Sequence, residues 1–177
     1  MQIRSGSLLV AHPKYSDREH SQHVVYITES TGTSTMGIKL NESSRYDMYD
    51  LMFNKGIIWQ GDRELYLGGD INPNSLVMLH TNEWYSANTM QVDNYFAISS
   101  DYVMIDKLTE HNTPDWYRLF LGCLGWSPQE LESELRTARP KWLLLSKPSQ
   151  VLIESDYNHM WDLALEEYSQ DIFDSYF

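Results

Sequence analysis

Short apolar runs separated by polar turns occupy much of this chain, and they determine the fold that it predicts. Runs of about four to eight residues rich in Leu, Val, Ile and Tyr are typical of buried β-strands. The polar stretch 30–35 lies between two such runs and predicts a hairpin turn. The predicted strands cover residues 7–11, 23–28, 36–40, 64–67, 75–80, 95–99 and 116–126.

Helices are predicted where apolar residues recur at every third or fourth position. The clearest start signal is Ser127-Pro128-Gln129-Glu130, a capping box with proline at the first helical position. Residues 157–168 carry a clear apolar stripe, and 45–54 and 100–109 fit shorter helices, whereas 142–145 fits either a strand or a short helix. Because the helices and strands do not alternate regularly, the pattern predicts an α+β fold in one compact domain over residues 1–177.

The charge of the chain is large and unevenly distributed. Its 13 basic and 25 acidic side chains give a formal net charge of −12. Residues 1–60 are neutral overall, 61–113 carry −6, 114–147 carry +1 and 148–177 carry −7. Proteins that bind nucleic-acid phosphates need a basic face, so this distribution argues against direct DNA or RNA binding.

The sequence contains none of the common motifs of catalysis. It lacks the G-x-S-x-G nucleophile elbow, the phosphate loop and the dinucleotide-binding glycine pattern. His20 and His23 are closely spaced but have no evident third ligand, so we predict no metal site and no cofactor. Cys123 lies in an apolar run and is expected to be a core thiol. These observations favour a protein that is not an enzyme.

The expected compartment is the cytoplasm. A lone cysteine allows no intramolecular disulfide, which fits a reducing environment. No stretch has the pattern of a signal peptide, and no apolar run approaches the ~20 residues that a membrane helix needs. We therefore expect a soluble protein without membrane contact.

Three separated stretches carry motifs whose order and spacing resemble the YqgE/AlgH family of small bacterial proteins. Asp70 departs from the family pattern, which has proline after the double glycine. The first stretch reads Ala11-x-Pro13-x3-Asp17 with Val24-Val25-Tyr26-Ile27-x-Glu29 and Met36-Gly37-Ile38-x-Leu40-Asn41, and the second reads Gly68-Gly69-x-Ile71 with Val77-x-Leu79-His80. The third reads Leu121-Gly122-x2-Gly125-Trp126-x-Pro128-x2-Leu131-Glu132-x-Glu134-Leu135 with Trp142-Leu143.

The resemblance implies an α+β domain with a large, mixed, partly barrel-like β-sheet flanked by helices. It also implies a regulatory role, because family members carry the label of transcriptional regulators although they have no recognised DNA-binding motif. No helix in this sequence combines a basic cluster with a turn and a second helix, so contact with proteins is the more plausible route to regulation.

Four residues of the motif stretches are candidates for a cleft that binds a ligand or partner: Gly68, Gly69, His80 and Trp126. The glycines and the tryptophan also have a structural interpretation. The double glycine allows a tight bend where no side chain fits, and Trp126 is suited to packing in a core. A small-molecule-binding protein or an enzyme with this cleft is therefore the alternative to an interaction protein.

The C-terminal segment 148–177 is expected to form an acidic, aromatic helical segment that packs on or extends from the domain. It contains no Lys or Arg and has six aromatic residues. It is either a docked helix with a solvated face or a surface for a basic protein partner; a weaker alternative is mimicry of nucleic acid. Its acidic residues are Glu154, Asp156, Asp162, Glu166, Glu167, Asp171 and Asp174.

Overall fold

Strands and helices form at every position where the apolar pattern predicts one. The computed structural model describes residues 3–14 and 21–176, so Asp17 of the first motif and His20 lie outside the described residues. In chain order the elements are β1 (Leu8–Ala11), β2 (Val24–Ser30), β3 (Thr35–Lys39), α1 (Met48–Phe53), β4 (Tyr66–Leu67), β5 (Ile71–Thr81), β6 (Met90–Gln91), β7 (Phe96–Ser99), α2 (Tyr102–Thr109), β8 (Tyr117–Trp126), α3 (Pro128–Arg136), β9 (Trp142–Leu145), α4 (Gln150–Ile153) and α5 (Met160–Tyr176).

The chain forms two compact units. Unit 1 comprises Met1–Asn41 together with Leu124–Phe177, and unit 2 is the contiguous segment Glu42–Cys123. Strand β8 therefore contributes its first seven residues to unit 2 and its last three to unit 1.

In unit 1, antiparallel strands follow the order β8, β3, β2, β1 and β9. Every residue of β1 is buried, as are the first five of β2, because these strands are covered on both faces. Helices α3 and α5 pack against strands of this unit. The core of the unit contains Leu9, Ala11, Val25, Ile27, Leu124, Leu131 and Trp142.

In unit 2, β5 lies between β7 and β8 in antiparallel pairings, and β4 runs parallel to β8. The β5–β8 register is interrupted between Ile71 and Leu76, where residues 72–75 have no partner in β8. Helices α1 and α2 supply Met48, Met52, Met104 and Leu108 to a core that also contains Trp59, Leu65, Met78, Trp84 and Leu119.

Side-chain caps explain where the helices begin. The predicted capping box at α3 is confirmed, because Ser127 Oγ accepts from the Glu130 amide at 3.2 Å and Glu130 Oε2 accepts from the Ser127 amide at 3.3 Å. Asp47 and Asp50 form a second capping box at α1. Asp101 caps α2 by accepting from the Met104 amide at 2.8 Å. These bonds satisfy amides that have no partner within the helix.

The α+β class and the mixed sheet are confirmed, with differences in detail. The segment 142–145, for which strand and helix were both open, is a strand because it pairs with β1. Helix α5 begins three residues later than expected and runs eight residues further, because 169–176 contains no Gly or Pro to end it. The two-residue β6 and four-residue α4 are too short for a periodic signal. Within the described ranges, no helix has both the length and the apolar character needed to cross a bilayer.

Candidate functional site

The double glycine lies where two stretches of backbone touch in unit 2. A Cβ atom at Gly68 would overlap the carbonyl oxygen of Gly122, and one at Gly122 would overlap that of Gly69. Gly122 also has φ of +74°, a conformation that favours glycine. The Gly68 amide donates to the Leu121 carbonyl at 2.7 Å. Close approach of β4 to β8 is thus sufficient to explain why glycine occupies these positions.

His80 is fully buried in β5, away from the glycines. It pairs with Tyr117 of β8, whereas Gly68 binds Leu121, four residues further along β8 and thus about 13 Å away. The ring of His80 lies edge-on to Trp84 at 5.1 Å between centroids. Burial lowers the pKa of His80, although its hydrogen bond with Thr81 and the nearby Glu83 carboxylate oppose the shift.

The hydrogen bonds of His80 fix its tautomer. Its Nδ1 lies 2.8 Å from the Thr81 carbonyl oxygen, which can only accept, so Nδ1 carries the proton. The lowered pKa favours the neutral ring, in which Nε2 accepts from the Ser99 hydroxyl at 2.8 Å and Ser99 Oγ in turn accepts from the Thr89 hydroxyl at 2.6 Å. Both nitrogens of the neutral imidazole are thus hydrogen-bonded. The arrangement orients a buried polar group and leaves no free nitrogen to bind a ligand.

Asp101 anchors the loop that carries Thr89, the residue whose hydroxyl contacts Ser99. Its Oδ2 accepts from the Ser86 hydroxyl at 2.5 Å and the Asn88 amide at 3.0 Å, and its Oδ1 accepts from Met104. Although burial opposes the effect, these hydrogen bonds lower the pKa of Asp101 below its usual value. The carboxylate is consequently charged and committed to bonds within unit 2.

Trp126 lies in unit 1, where it shares a carboxylate with a second tryptophan. Its indole Nε1 donates to Glu134 Oε2 at 3.0 Å, and Trp142 Nε1 donates to the same oxygen at 2.9 Å. Lys141 Nζ lies 3.6 Å from the other oxygen of Glu134. Sequence reasoning placed Glu134 in the third motif but gave it no role, although a tryptophan eight residues before it and another eight residues after it were a usable signal.

The acidic residues of the C-terminal segment have different surroundings. Glu167 accepts from the amide and hydroxyl of Ser149, so it anchors the start of α4. Glu154 and Asp156 make local bonds, to Gln150 and to the Asn158 amide. The remaining four lie exposed along α5: Asp162, Glu166, Asp171 and Asp174.

The last two turns of α5 are exposed on every side. All residues from Ser169 to Tyr176 are solvent-exposed, including Ile172, Phe173 and Tyr176 at 40, 57 and 81 %. Leu165, Ile172 and Tyr176 follow the i, i+7, i+11 spacing of one helix face, and Phe173 lies beside it. Helix α5 thus presents apolar side chains together with acids and without any base.

Two further expectations concern chemistry. Cys123 is half-buried, which corrects the prediction of a core thiol. Its Sγ lies 3.8 Å from the carbonyl oxygen of Ile71, the residue that it faces at the edge of the β5–β8 pairing. Burial still raises the pKa of this thiol. Over residues 3–14 and 21–176, no three His, Cys, Asp or Glu side chains gather as metal ligands would.

Comparison with known proteins identifies clear relatives. A family model described as AlgH-like matches residues 8–172. A UPF0301 protein of Marinomonas sp. (strain MWYL1) is 29 % identical over 151 residues, covering 83 % of this chain and 79 % of that protein. A UPF0301 protein of Methylococcus capsulatus (strain Bath) is 27 % identical over 165 residues, covering 92 % of this chain and 90 % of its own length.

Two solved structures share the fold. The solution structure of the AlgH protein from Pseudomonas aeruginosa has a TM-score of 0.79 at 19 % identity, covering 92 % of this chain and 87 % of that one. A crystal structure of a Corynebacterium diphtheriae protein has a TM-score of 0.66 at 21 % identity, covering 84 % of this chain and 78 % of that one.

Proposed function

The chain belongs to the AlgH-like family, and we propose that this member is a regulatory protein that acts by binding a basic protein partner and catalyses no reaction. The observation that carries the proposal is the exposed end of α5, where apolar side chains lie beside acids and no basic residue is present. Exposed apolar groups in this setting are typical of a surface that another molecule covers. We expect the contact to occur in the cytoplasm.

The charge of α5 selects among possible partners. Two copies of this helix would bring like charges together, and nucleic acids and anionic membranes carry the same sign as the helix. A basic, amphipathic protein segment satisfies both features of the surface. Its cationic side chains pair with Asp162 and Glu166, which share a stripe of α5 with Phe173 by the i, i+4, i+11 spacing, and its apolar side chains cover Ile172, Phe173 and Tyr176.

The proposal can be tested with peptides of defined chemistry. The full chain is titrated with a helical Leu/Lys peptide and with a Leu/Glu peptide of the same pattern, and backbone amide shifts are followed by NMR. We expect saturable binding of the Leu/Lys peptide that shifts residues of α5 and weakens as salt is raised, because the attraction between exposed charges is screened. Equal binding of the two peptides would contradict the proposal.

Matched variants locate the contact. Asp162→Lys with Glu166→Lys reverses the two charges on the proposed contact face of α5, whereas Glu29→Lys reverses an exposed charge on β2 of the same unit. We expect the α5 variant to reduce the affinity about tenfold or more and the Glu29 variant to have a small effect. Phe173→Ser separates the apolar contribution from the charge. A crosslinker placed at Tyr176 in cells then identifies the natural partner. The proposal is supported only if the same crosslink is lost when the α5 charges are reversed.

A further inference from the structure

A small cavity opens in unit 2 between α1, β5 and the start of α2. Its volume is about 260 Å³. The bulged part of β5, which has no partner in β8, forms one side of the mouth. Four aliphatic residues of the lining pack against the core of the unit but are only half-buried, because the cavity lies beside them. They are Leu51, Ile57, Leu76 and Ile105. The apolar lining consists of Leu51, Met52, Ile57, Leu76, Met104 and Ile105.

The polar side chains at the mouth have a common property. Lys55, Asn74 and Ser75 line the cavity, and within the described part of the chain their side chains form no hydrogen bond or ion pair. All three can donate hydrogen bonds, and Lys55 carries a positive charge. Two further polar residues line the cavity, Ser100 and Asp101, and both already have hydrogen-bond partners. Ser100 Oγ donates to the Leu76 carbonyl at 2.6 Å, and Asp101 accepts from Ser86, Asn88 and Met104.

This arrangement suits a ligand with an apolar body and an anionic head. We propose that the cavity binds a small monocarboxylate, with its hydrocarbon part against the aliphatic wall and its carboxylate at Lys55, Asn74 and Ser75. An apolar cavity of about 150 Å³ accommodates the six carbons of benzene, so about 260 Å³ accommodates roughly ten non-hydrogen atoms. Octanoate has that size. The site is separate from α5 and is independent of the proposed partner contact.

The experiment compares three probes of equal length on the full chain. Octanoate, 1-octanol and octylamine are titrated separately, and amide shifts are followed by NMR. We expect octanoate to give saturable shifts centred on residues 55, 76 and 104–105, and to bind at least about fivefold more tightly than octylamine. Shifts that are spread over the surface, that do not saturate, or that are equally strong with octylamine would overturn the proposal.

Two variants test the head group and the cavity separately. Lys55→Gln removes the cation at the mouth and is expected to weaken octanoate about fivefold while leaving 1-octanol unchanged. Lys147→Gln, an exposed lysine of unit 1, makes the same charge change and is expected to leave both unchanged. Leu51→Phe places a larger side chain in the cavity and is expected to weaken the binding of both octanoate and 1-octanol. The proposal is wrong if Lys55→Gln has no more effect than Lys147→Gln, or if a folded Leu51→Phe variant binds octanoate normally.

Discussion

The carboxylate of Glu134 is the acceptor for two indole groups, and its removal gives the most direct test of the energetics of unit 1. Glu134→Ala deprives Trp126 and Trp142 of this acceptor and removes the contact with Lys141. Trp142 is 1 % exposed, so water cannot replace the carboxylate there and the loss costs about 1–3 kcal/mol. Trp126 is partly exposed and rehydrates, which limits its loss to about 1 kcal/mol.

Together with the weak, partly exposed ion pair to Lys141, these losses amount to about 3 kcal/mol of unfolding free energy. Glu134→Gln retains a carbonyl oxygen that can accept both indole N–H groups, so we expect a smaller loss of about 1 kcal/mol. Glu132→Ala is the matched control, because Glu132 is 53 % exposed on the same helix and pairs with the exposed Arg136. Its effect is expected to stay within about 0.5 kcal/mol.

Urea denaturation, followed by circular dichroism and tryptophan fluorescence, measures the free energy of unfolding of the unmodified protein and of the three variants. NMR provides an independent readout, since two of the six indole N–H resonances are expected to move in Glu134→Ala and none in Glu132→Ala. If Glu134→Ala is no more destabilising than Glu132→Ala, or if Glu134→Gln is as costly as Glu134→Ala, the shared acceptor is not the source of the stability.

Two further predictions concern unit 2. Gly68→Ala places a Cβ against the Gly122 carbonyl oxygen, so we expect the free energy of unfolding in urea to fall by about 3 kcal/mol. Gly32→Ala, with open space around the new Cβ, is expected to change it by no more than about 0.5 kcal/mol. Equal effects of the two substitutions would disprove the close contact at Gly68. The lowered pKa of His80 means that, as the pH falls towards about 6.5, the unfolded state gains a proton before the folded state does. The free energy of unfolding is therefore full well above that pH and falls by at most about 1.4 kcal/mol as the pH is lowered from about 7.5 to about 5.5. His80→Gln cannot titrate and is expected to flatten this dependence; an unchanged slope would refute the assignment.

Local patterns in the sequence predicted the elements well because their causes are local. The capping box at Ser127 and the polar turn at 30–35 act within a few residues, and both are formed. The apolar runs at β1 and β2 are uninterrupted because both faces of these strands are buried. Helix α5 was placed correctly but predicted too short, because the apolar stripe weakens after Tyr168 while nothing there ends a helix.

The candidate site was harder to predict because it depends on which elements become neighbours. Every wall of the unit-2 cavity lies in or directly beside an element that the sequence predicted, namely the helices near 45–54 and 100–109 and the strand near 75–80. No local pattern in the sequence indicates that Lys55 and Ser75 line the same cavity. The network around His80 was missed for the same reason, since Ser99 and Thr89 reach it only through the pairing of β5 with β7 and the fold of the intervening loop.

The division of strand β8 has a consequence for synthesis on the ribosome. Unit 2 is contiguous, so all its residues have emerged once Cys123 leaves the exit tunnel. Unit 1 is interrupted by unit 2 in the sequence. Strand β1 pairs with β2 on one edge and with β9 on the other, and β9 is synthesised more than 130 residues after β1. Because segments that emerge together fold first, unit 2 is expected to reach its native structure while β1, β2 and β3 are still incomplete. During that interval the apolar run Leu8–Ala11 is the segment of the nascent chain most in need of protection from aggregation.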